Sequence, residues 1–194
     1  MQKYSGTLPN SIAGTSVKVS QSAASLFSVS PTRIVAQLPY TGMMQFTVTV
    51  QGQTSTMFTG SFGTAVVGVA AVYKQDLSSI TQDSPAKPGD TVIAYIAGAG
   101  DTTPASVAGT PAPDSPVFNA NQTFAAQVET DEPGQGHIRM MCTVKSVRMV
   151  PGLIGIAQAQ VVITPEISAD SINWDFSINQ SNKVRIYIKS AAAP

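Results

Sequence analysis

Few side chains in this sequence have the types and spacing that catalysis or metal binding needs. The chain holds one histidine, His137, and one cysteine, Cys142, so neither a zinc site nor a Ser-His-Asp triad has an obvious set of members. His137 begins a predicted strand after Gly136, which favours a surface or half-buried histidine. Cys142 ends the apolar run Met140–Cys142, which favours a buried, inert thiol. No G-x-S-x-G elbow occurs, and we predict that the protein is not an enzyme.

The densest acidic cluster comprises Glu129, Asp131 and Glu132. Carboxylate oxygens are the ligands that Ca²⁺ prefers, so these three residues are the candidate calcium ligands. The D-x-D-x-D-G loop pattern is absent, however, and a solvated turn over Glu129–Gly136 is the favoured interpretation. We therefore predict no bound metal.

Two further patterns bear on ligands. Gly98-Ala-Gly100 is a G-x-G sequence, but no helical pattern follows and Pro104 intervenes, so a dinucleotide site is not expected and no cofactor is predicted. Aromatic side chains can stack on sugar rings, and Tyr40, which follows a proline in a predicted loop, is the candidate ligand-binding residue. Trp174 and Tyr187 fall in strand patterns, which favours burial in a core or at an interface.

The charge of the chain excludes several classes of partner. The 194 residues include 11 basic and 11 acidic side chains, and charged residues make up 11% of the sequence, against about 25% in an average domain. Without a basic stripe, nucleic-acid binding is not expected. The longest apolar run, Ala65–Val72, is far shorter than the roughly 20 residues of a membrane-spanning helix, so no transmembrane segment is predicted. Residues Met1–Gly6 contain no apolar signal-peptide core.

Alternation of apolar and polar residues with period two dominates the chain, and no long window has helical periodicity. The segment Gln45–Val50 alternates cleanly, with Phe46, Val48 and Val50 predicted to face inward. Polarity comes mostly from hydroxyl and amide side chains, which favours an all-β extracellular or cell-surface protein. Strands are predicted at Val17–Val19, Arg33–Leu38, Gln45–Val50, Ser55–Phe62, Thr91–Ile96, Phe124–Val128, His137–Val144, Ile154–Ile163, Trp174–Ile178 and Val184–Ile188.

An internal repeat divides the chain. The block Phe46–Phe58 aligns with Trp174–Ile186 at an offset of 128 residues, which predicts two related units. We expect two tandem immunoglobulin-like β-sandwich units, residues 1–72 and 73–194. Because the counterpart of strand Thr91–Ile96 would precede residue 1, the first unit is predicted to lack its opening strand. Residues 1–16 filling the gap, and a chain that is a fragment of a larger protein, are the alternatives.

Four blocks of the sequence resemble a known family. They are Leu8–Val17, Ser28–Pro39, Pro85–Gly100 with Thr103–Pro104, and Val150–Gln158. In this order they are similar to blocks of an uncharacterised bacterial C-terminal domain family, abundant in secreted proteins of Solibacter-type acidobacteria. The resemblance implies an immunoglobulin-like, surface-associated module without known catalytic residues. The chain departs from the family pattern at Ala13, Ala99 and Ala157.

These observations predict a structural role. An incomplete sandwich exposes a sheet edge, and strand donation from another chain is one way to cover it. We expect a subunit of a surface fibre or of a larger surface protein, which pairs with its own copies or with other surface chains through edge strands. A carbohydrate-binding or adhesive module, with glycans as partners, and a virion surface or tail protein are the alternatives.

Overall fold

The computed structural model describes residues 5–38, 42–62, 67–132, 134, 136–167 and 172–189. Within these ranges the chain forms strands and no helix, and so contains no helix that could span a membrane. The predicted all-β class is confirmed. The strands are β1 (Ser11–Ile12), β2 (Thr15–Val19), β3 (Ser22–Ala23), β4 (Ser25–Ser30), β5 (Arg33–Gln37), β6 (Gly42–Val50), β7 (Gln53–Thr54), β8 (Phe58–Phe62), β9 (Gly68–Lys74), β10 (Thr91–Ala97), β11 (Thr102–Thr103), β12 (Asn119–Ala120), β13 (Ala126–Glu132), β14 (Gly136–Met149), β15 (Ile156–Val162), β16 (Asn173–Ile178) and β17 (Val184–Tyr187).

The C-terminal half is built on one large antiparallel sheet. Its strand order is β17-β16-β13-β14-β15-β10-β9, with β12 also paired to β14. The long strand β14 pairs with β13 through its first half, up to Cys142, and with β15 through its second half, from Thr143. A register shift between Val144 and Ser146 lets the strand bend between these partners. The sheet therefore curves around a core that includes the fully buried Trp174 and Phe176.

An asparagine side chain closes the seam between the two ends of this sheet. Asn182, in the turn before β17, accepts a hydrogen bond through Oδ1 from the Val69 N–H of β9 (2.8 Å) and donates from Nδ2 to the Val69 carbonyl (2.9 Å). Beside it, the Ala86 N–H donates to the Tyr187 carbonyl (2.9 Å). The amide of Asn182 thus pairs with β9 in the way that a neighbouring strand would.

The N-terminal half has a smaller core and two separate sheets. Strands β1, β2, β6 and β7 form one sheet, with β3 and β8 attached to it, and β4 and β5 form a two-stranded sheet. The prediction that alternate residues of β6 face inward is confirmed for Phe46, which is buried, and for Val48, which is partly buried. It is wrong for Val50, which is 47% exposed, because this strand end lies beside the turn to β7. The buried core residues are Val17, Val19, Ala24, Leu26, Met44 and Phe46.

The two repeat blocks form hairpins with the same register. Phe46 pairs with Phe58 between β6 and β8, and Trp174 pairs with Ile186 between β16 and β17. The 128-residue offset therefore aligns this cross-strand pair of the first hairpin with the corresponding pair of the second. The division at residues 72 and 73 stays a prediction; β9, Gly68–Lys74, crosses this position and pairs with β10 in the large sheet.

Gly109 joins the two halves through very close packing. Its carbonyl accepts a hydrogen bond from the Leu8 N–H (2.7 Å), and its own N–H donates to Gln37 Oε1 (2.6 Å). Its φ is +78°, and a Cβ placed on it would lie 2.2 Å from Ser25 Oγ and 2.7 Å from Ser25 Cβ. A side chain at this position meets both an unfavourable backbone conformation and a clash.

We predict that Gly109→Ala destabilises the protein by about 2–5 kcal/mol, because left-handed backbone strain adds to overpacking. The control is Gly89→Ala, since Gly89 has φ +86° and open space around its Cβ position; it is expected to lose about 1–2 kcal/mol, from strain alone. Adding Ser25→Gly to Gly109→Ala is expected to recover the part of the lost stability that comes from the clash with Ser25. Equal losses in the two alanine variants, measured by urea unfolding, would contradict the close contact.

We predict that Asn182→Ala lowers the unfolding free energy by about 1–3 kcal/mol, because both polar groups of Val69 lose a partner. Amide hydrogen exchange at Val69 is expected to accelerate. Asn182→Asp is the matched variant: it keeps the acceptor for the Val69 N–H but loses the donor to the carbonyl, so amide protection is expected to persist while stability falls. Unchanged Val69 exchange in Asn182→Ala would show that the side chain does not close the seam.

Candidate functional site

The histidine lies half-exposed beside a carboxylate, and the cysteine is buried. The His137 side chain is 49% exposed, and its Nδ1 lies 3.0 Å from Asp131 Oδ1 on the neighbouring strand. Cys142 is buried, and burial raises the pKa of its thiol above the ordinary value. The thiolate, which is the nucleophilic form, is therefore disfavoured at neutral pH.

The acidic cluster lies on a strand and not in a turn. The interpretation of Glu129–Gly136 as a solvated turn was wrong for most of its length, because β13 continues to Glu132, which pairs with Gly136. Side chains alternate along a strand, so Glu129 and Asp131 share one face while Glu132 is on the other. No group of three or more histidine, cysteine, aspartate or glutamate side chains that could hold a metal ion occurs in the part of the chain that the structure describes.

Glu129 is neutralised by cations of the protein itself. It is 2% exposed; the Lys183 ammonium contacts its Oε1, and Arg139 Nε donates to its Oε2 at 3.2 Å. The Lys183 hydrogen bond is the main cause that holds the pKa of Glu129 below its ordinary value, against the opposing effect of burial. The carboxylate therefore stays ionised at neutral pH with its charge already paired.

This pairing belongs to a row of charged residues across four strands. Glu129 on β13 is directly opposite Arg139 on β14 and Asp175 on β16. Asp175 is in turn opposite Arg185 on β17, whose Nε donates to Asp175 Oδ1 at 2.7 Å. Opposite charges in adjacent strands stabilise a sheet and like charges destabilise it. The two carboxylates of the row, Glu129 and Asp175, are opposite each other, and each also has an arginine opposite it on its other side.

The candidate sugar-stacking residue, Tyr40, lies outside the described residues. Trp174 is fully buried, as its strand pattern predicts. Tyr73 and Tyr95 contact each other edge to face across β9 and β10, with ring centroids 5.9 Å apart.

The outer edge of β5 is the feature most suited to binding. In the described ranges β5 pairs with β4 alone, whereas β15 has β14 on one side and β10 on the other. The two hairpins correspond in their pairing: Leu26 and Val29 of β4 face Ala36 and Ile34 of β5.

In the second unit, Val147 and Met149 of β14 face Ala159 and Ala157 of β15. Strand β5 therefore takes the place of β15, with the partner on its second side absent from the described residues. Ala157 and Ala159, which pair with β10, are fully buried, while Ile34 and Ala36 are only partly buried. The edge of β5 thus borders a part of the core that is open.

Phe58, which stacks on a residue of the N-terminal core, is also largely uncovered. Phe58 is 53% exposed, although its repeat counterpart Ile186 is 1% exposed. Its one covered face stacks on Phe46, with ring centroids 5.0 Å apart and an interplanar angle of 13°. In the large sheet β9 contacts β17, on which Ile186 lies, and β10 pairs with β15.

Among the described residues, neither Phe58 nor the edge of β5 has the neighbour that its counterpart in the large sheet has. A counterpart of the β9–β10 pair would cover Phe58 and fill the edge of β5. We name Ile34, Ala36 and Phe58, with the free edge of β5, the open core edge. The offset alignment contained the signal for Phe58, because it places this residue on a buried position of the second unit.

We predict that Glu129→Gln lowers the unfolding free energy by about 1–2 kcal/mol at pH 7, since its half-exposed cationic partners are screened by solvent. The folded-state pKa of Glu129 lies below its ordinary value of 4.5, so this stabilisation is present above pH 4.5 and is lost as the pH falls through the folded-state pKa. The two proteins are expected to converge in stability at acid pH. Asp131→Asn, at a side chain that is 90% exposed, is the control and is expected to change little. A Glu129→Gln deficit that persists undiminished in acid would contradict the pairing.

Comparison with known proteins adds no relative: no family model, no curated protein and no solved structure matches this chain.

Proposed function

We propose that this protein is a non-enzymatic structural module of extracellular or cell-surface proteins, and that it assembles through the open core edge of its first unit. The observation that carries the proposal is the edge of β5, which has a paired neighbour on one side among the described residues. A strand edge presents a row of N–H and C=O groups that favour pairing with another strand. Partly exposed apolar side chains beside it add a hydrophobic gain on association.

The charge distribution supports assembly. Residues 4–72 contain Lys18 and Arg33 as their only charged side chains and no acidic residue. Charged side chains on edge strands are one of the devices that keep sheets from pairing with other chains. Strand β5 carries only Arg33, at its first position, so its remaining length is without this protection.

The resemblance to the acidobacterial secreted-protein family supports an extracellular setting and a role without catalysis. The pairing of the charged residues around Glu129, and the buried state of Cys142, are consistent with a structural role. Ser, Thr, Asn and Gln supply the polar surface of such a module with little net charge.

We predict that the protein self-associates in a concentration-dependent way, measured by light scattering after size-exclusion chromatography and by negative-stain electron microscopy. Ile34→Asp is expected to shift it to the monomer, because the new carboxylate would be buried unpaired on pairing. Val107→Asp is the control, since Val107 is 68% exposed and lies outside the open core edge; it is expected to assemble like the unmodified chain.

Circular dichroism of both aspartate variants separates loss of assembly from loss of folding. If Ile34→Asp fails to fold, Ala36→Lys provides a second test at the same edge. An unmodified chain that stays monomeric up to its solubility limit would contradict assembly through its own copies.

A further inference from the structure

We propose that the open core edge takes a single extended strand, antiparallel to β5, whose side chains repeat the pattern of β10. This inference rests on the proposed function and specifies the chemistry of the partner. The occupant is a segment of another chain with branched apolar residues on either side of a small one, at alternate positions. The second unit supplies the template, because there the equivalent place is filled.

The template fixes the register of the incoming strand. In the second unit Ala94 of β10 is opposite Ala159, and Ile96 is opposite Ala157. Ala36 and Ile34 have the same positions in their hairpin as Ala159 and Ala157. The incoming strand should therefore place a small residue opposite Ala36 and a branched apolar residue opposite Ile34.

The side-chain pattern follows from the face of β10 that packs in the large core; Ile93, on the opposite face, is also buried (2% exposed) but is not part of that core. Val92, Ala94 and Ile96 are each fully buried in the core of the second unit. A small residue at the centre with larger branched residues on either side is thus the pattern that packs in this core. The same arrangement over β5 would cover Ile34 and Ala36.

The backbone supplies the second half of the recognition. A strand that adds to a sheet edge gains affinity from main-chain hydrogen bonds and specificity from alternate side chains. Successive N–H groups along a strand point to opposite sides, so one alternate set of the incoming strand pairs with β5 and the other set points away. This asymmetry distinguishes strand pairing from adsorption to an apolar surface.

The test uses a fluorescent peptide with the sequence of Lys87–Gly98, which contains β10 and the four residues that precede it. We expect saturable binding to the full chain, measured by fluorescence anisotropy at concentrations where the chain is monomeric. Binding is expected to slow amide hydrogen exchange in β5 and to leave β15 unchanged. The same peptide with V92N, A94N and I96N is expected to bind at least tenfold more weakly.

Two N-methylated peptides test the backbone contribution. One carries N-methyl groups at Val92, Ala94 and Ile96, and the other at Ile93 and Tyr95. Because one set of N–H groups faces β5 and the other faces away, one methylated peptide is expected to bind and the other to fail. Equal binding by both, or equal loss in both, would overturn the proposal.

The protein variant Ile34→Asp locates the site. It is expected to lose peptide binding, whereas Val107→Asp is expected to keep it. Binding that persists in a folded Ile34→Asp variant would mean that the peptide exchanges with β10 of the second unit, and would overturn the proposal. Ala36→Lys provides the second variant if Ile34→Asp does not fold.

The outcome is separable from that of the proposed function. If the chain self-associates but does not bind the peptide, the proposed assembly stands and the proposed strand pattern is excluded. If the chain is monomeric but binds the peptide, assembly with its own copies is excluded and the proposed strand pattern stands. Failure of both measurements would overturn both inferences.

Discussion

Every strand of this protein must find hydrogen-bonding partners for its backbone, and the structure follows from how each sheet edge is treated. The large C-terminal sheet curves until its ends meet, and the Asn182 amide bonds the N–H and the carbonyl of Val69. In the first unit β4 and β5 form a separate pair, with one edge of β5 left over among the described residues. The same constraint thus gives a closed core in one place and an open one in another.

The size of the two cores agrees with this difference. The second unit buries its aromatic residues Trp174 and Phe176 completely, under a sheet whose ends are joined. The core cluster of the N-terminal sheets has six buried apolar members among the described residues, and Phe58 is left half-covered on the face of Phe46. Because apolar burial is the main favourable term in folding, most of the stability should come from the second unit. Gly109 connects the C-terminal part of the chain to the first unit through its hydrogen bonds with Leu8 and Gln37.

The sequence allowed much of this fold to be predicted, because period-two alternation and Gly/Pro turns are local signals. The repeat predicted the matching hairpins, down to the pairs of Phe46 and Trp174. Strand β9 was missed because its small apolar residues do not alternate, and β13 was predicted too short because Glu129 and Glu132 suggested a turn. The pairing of Glu129 with Lys183 joins residues 54 positions apart in the sequence, and no local pattern contains it. The edge of β5 could be anticipated only from the offset that left the first unit without a counterpart for Thr91–Ile96.

Strand β14 is shared between two strand partners, β13 and β15. Because β14 belongs to both parts of the sheet, we expect loss of its pairing with one partner to weaken the bend at Val144–Ser146 and with it the pairing with the other. We therefore expect local opening at strand ends and turns, and larger fluctuations that involve the whole sheet. If the chain assembles through β5 as proposed, we expect a load carried by that edge to reach a large sheet whose two parts share β14, so that both parts yield together.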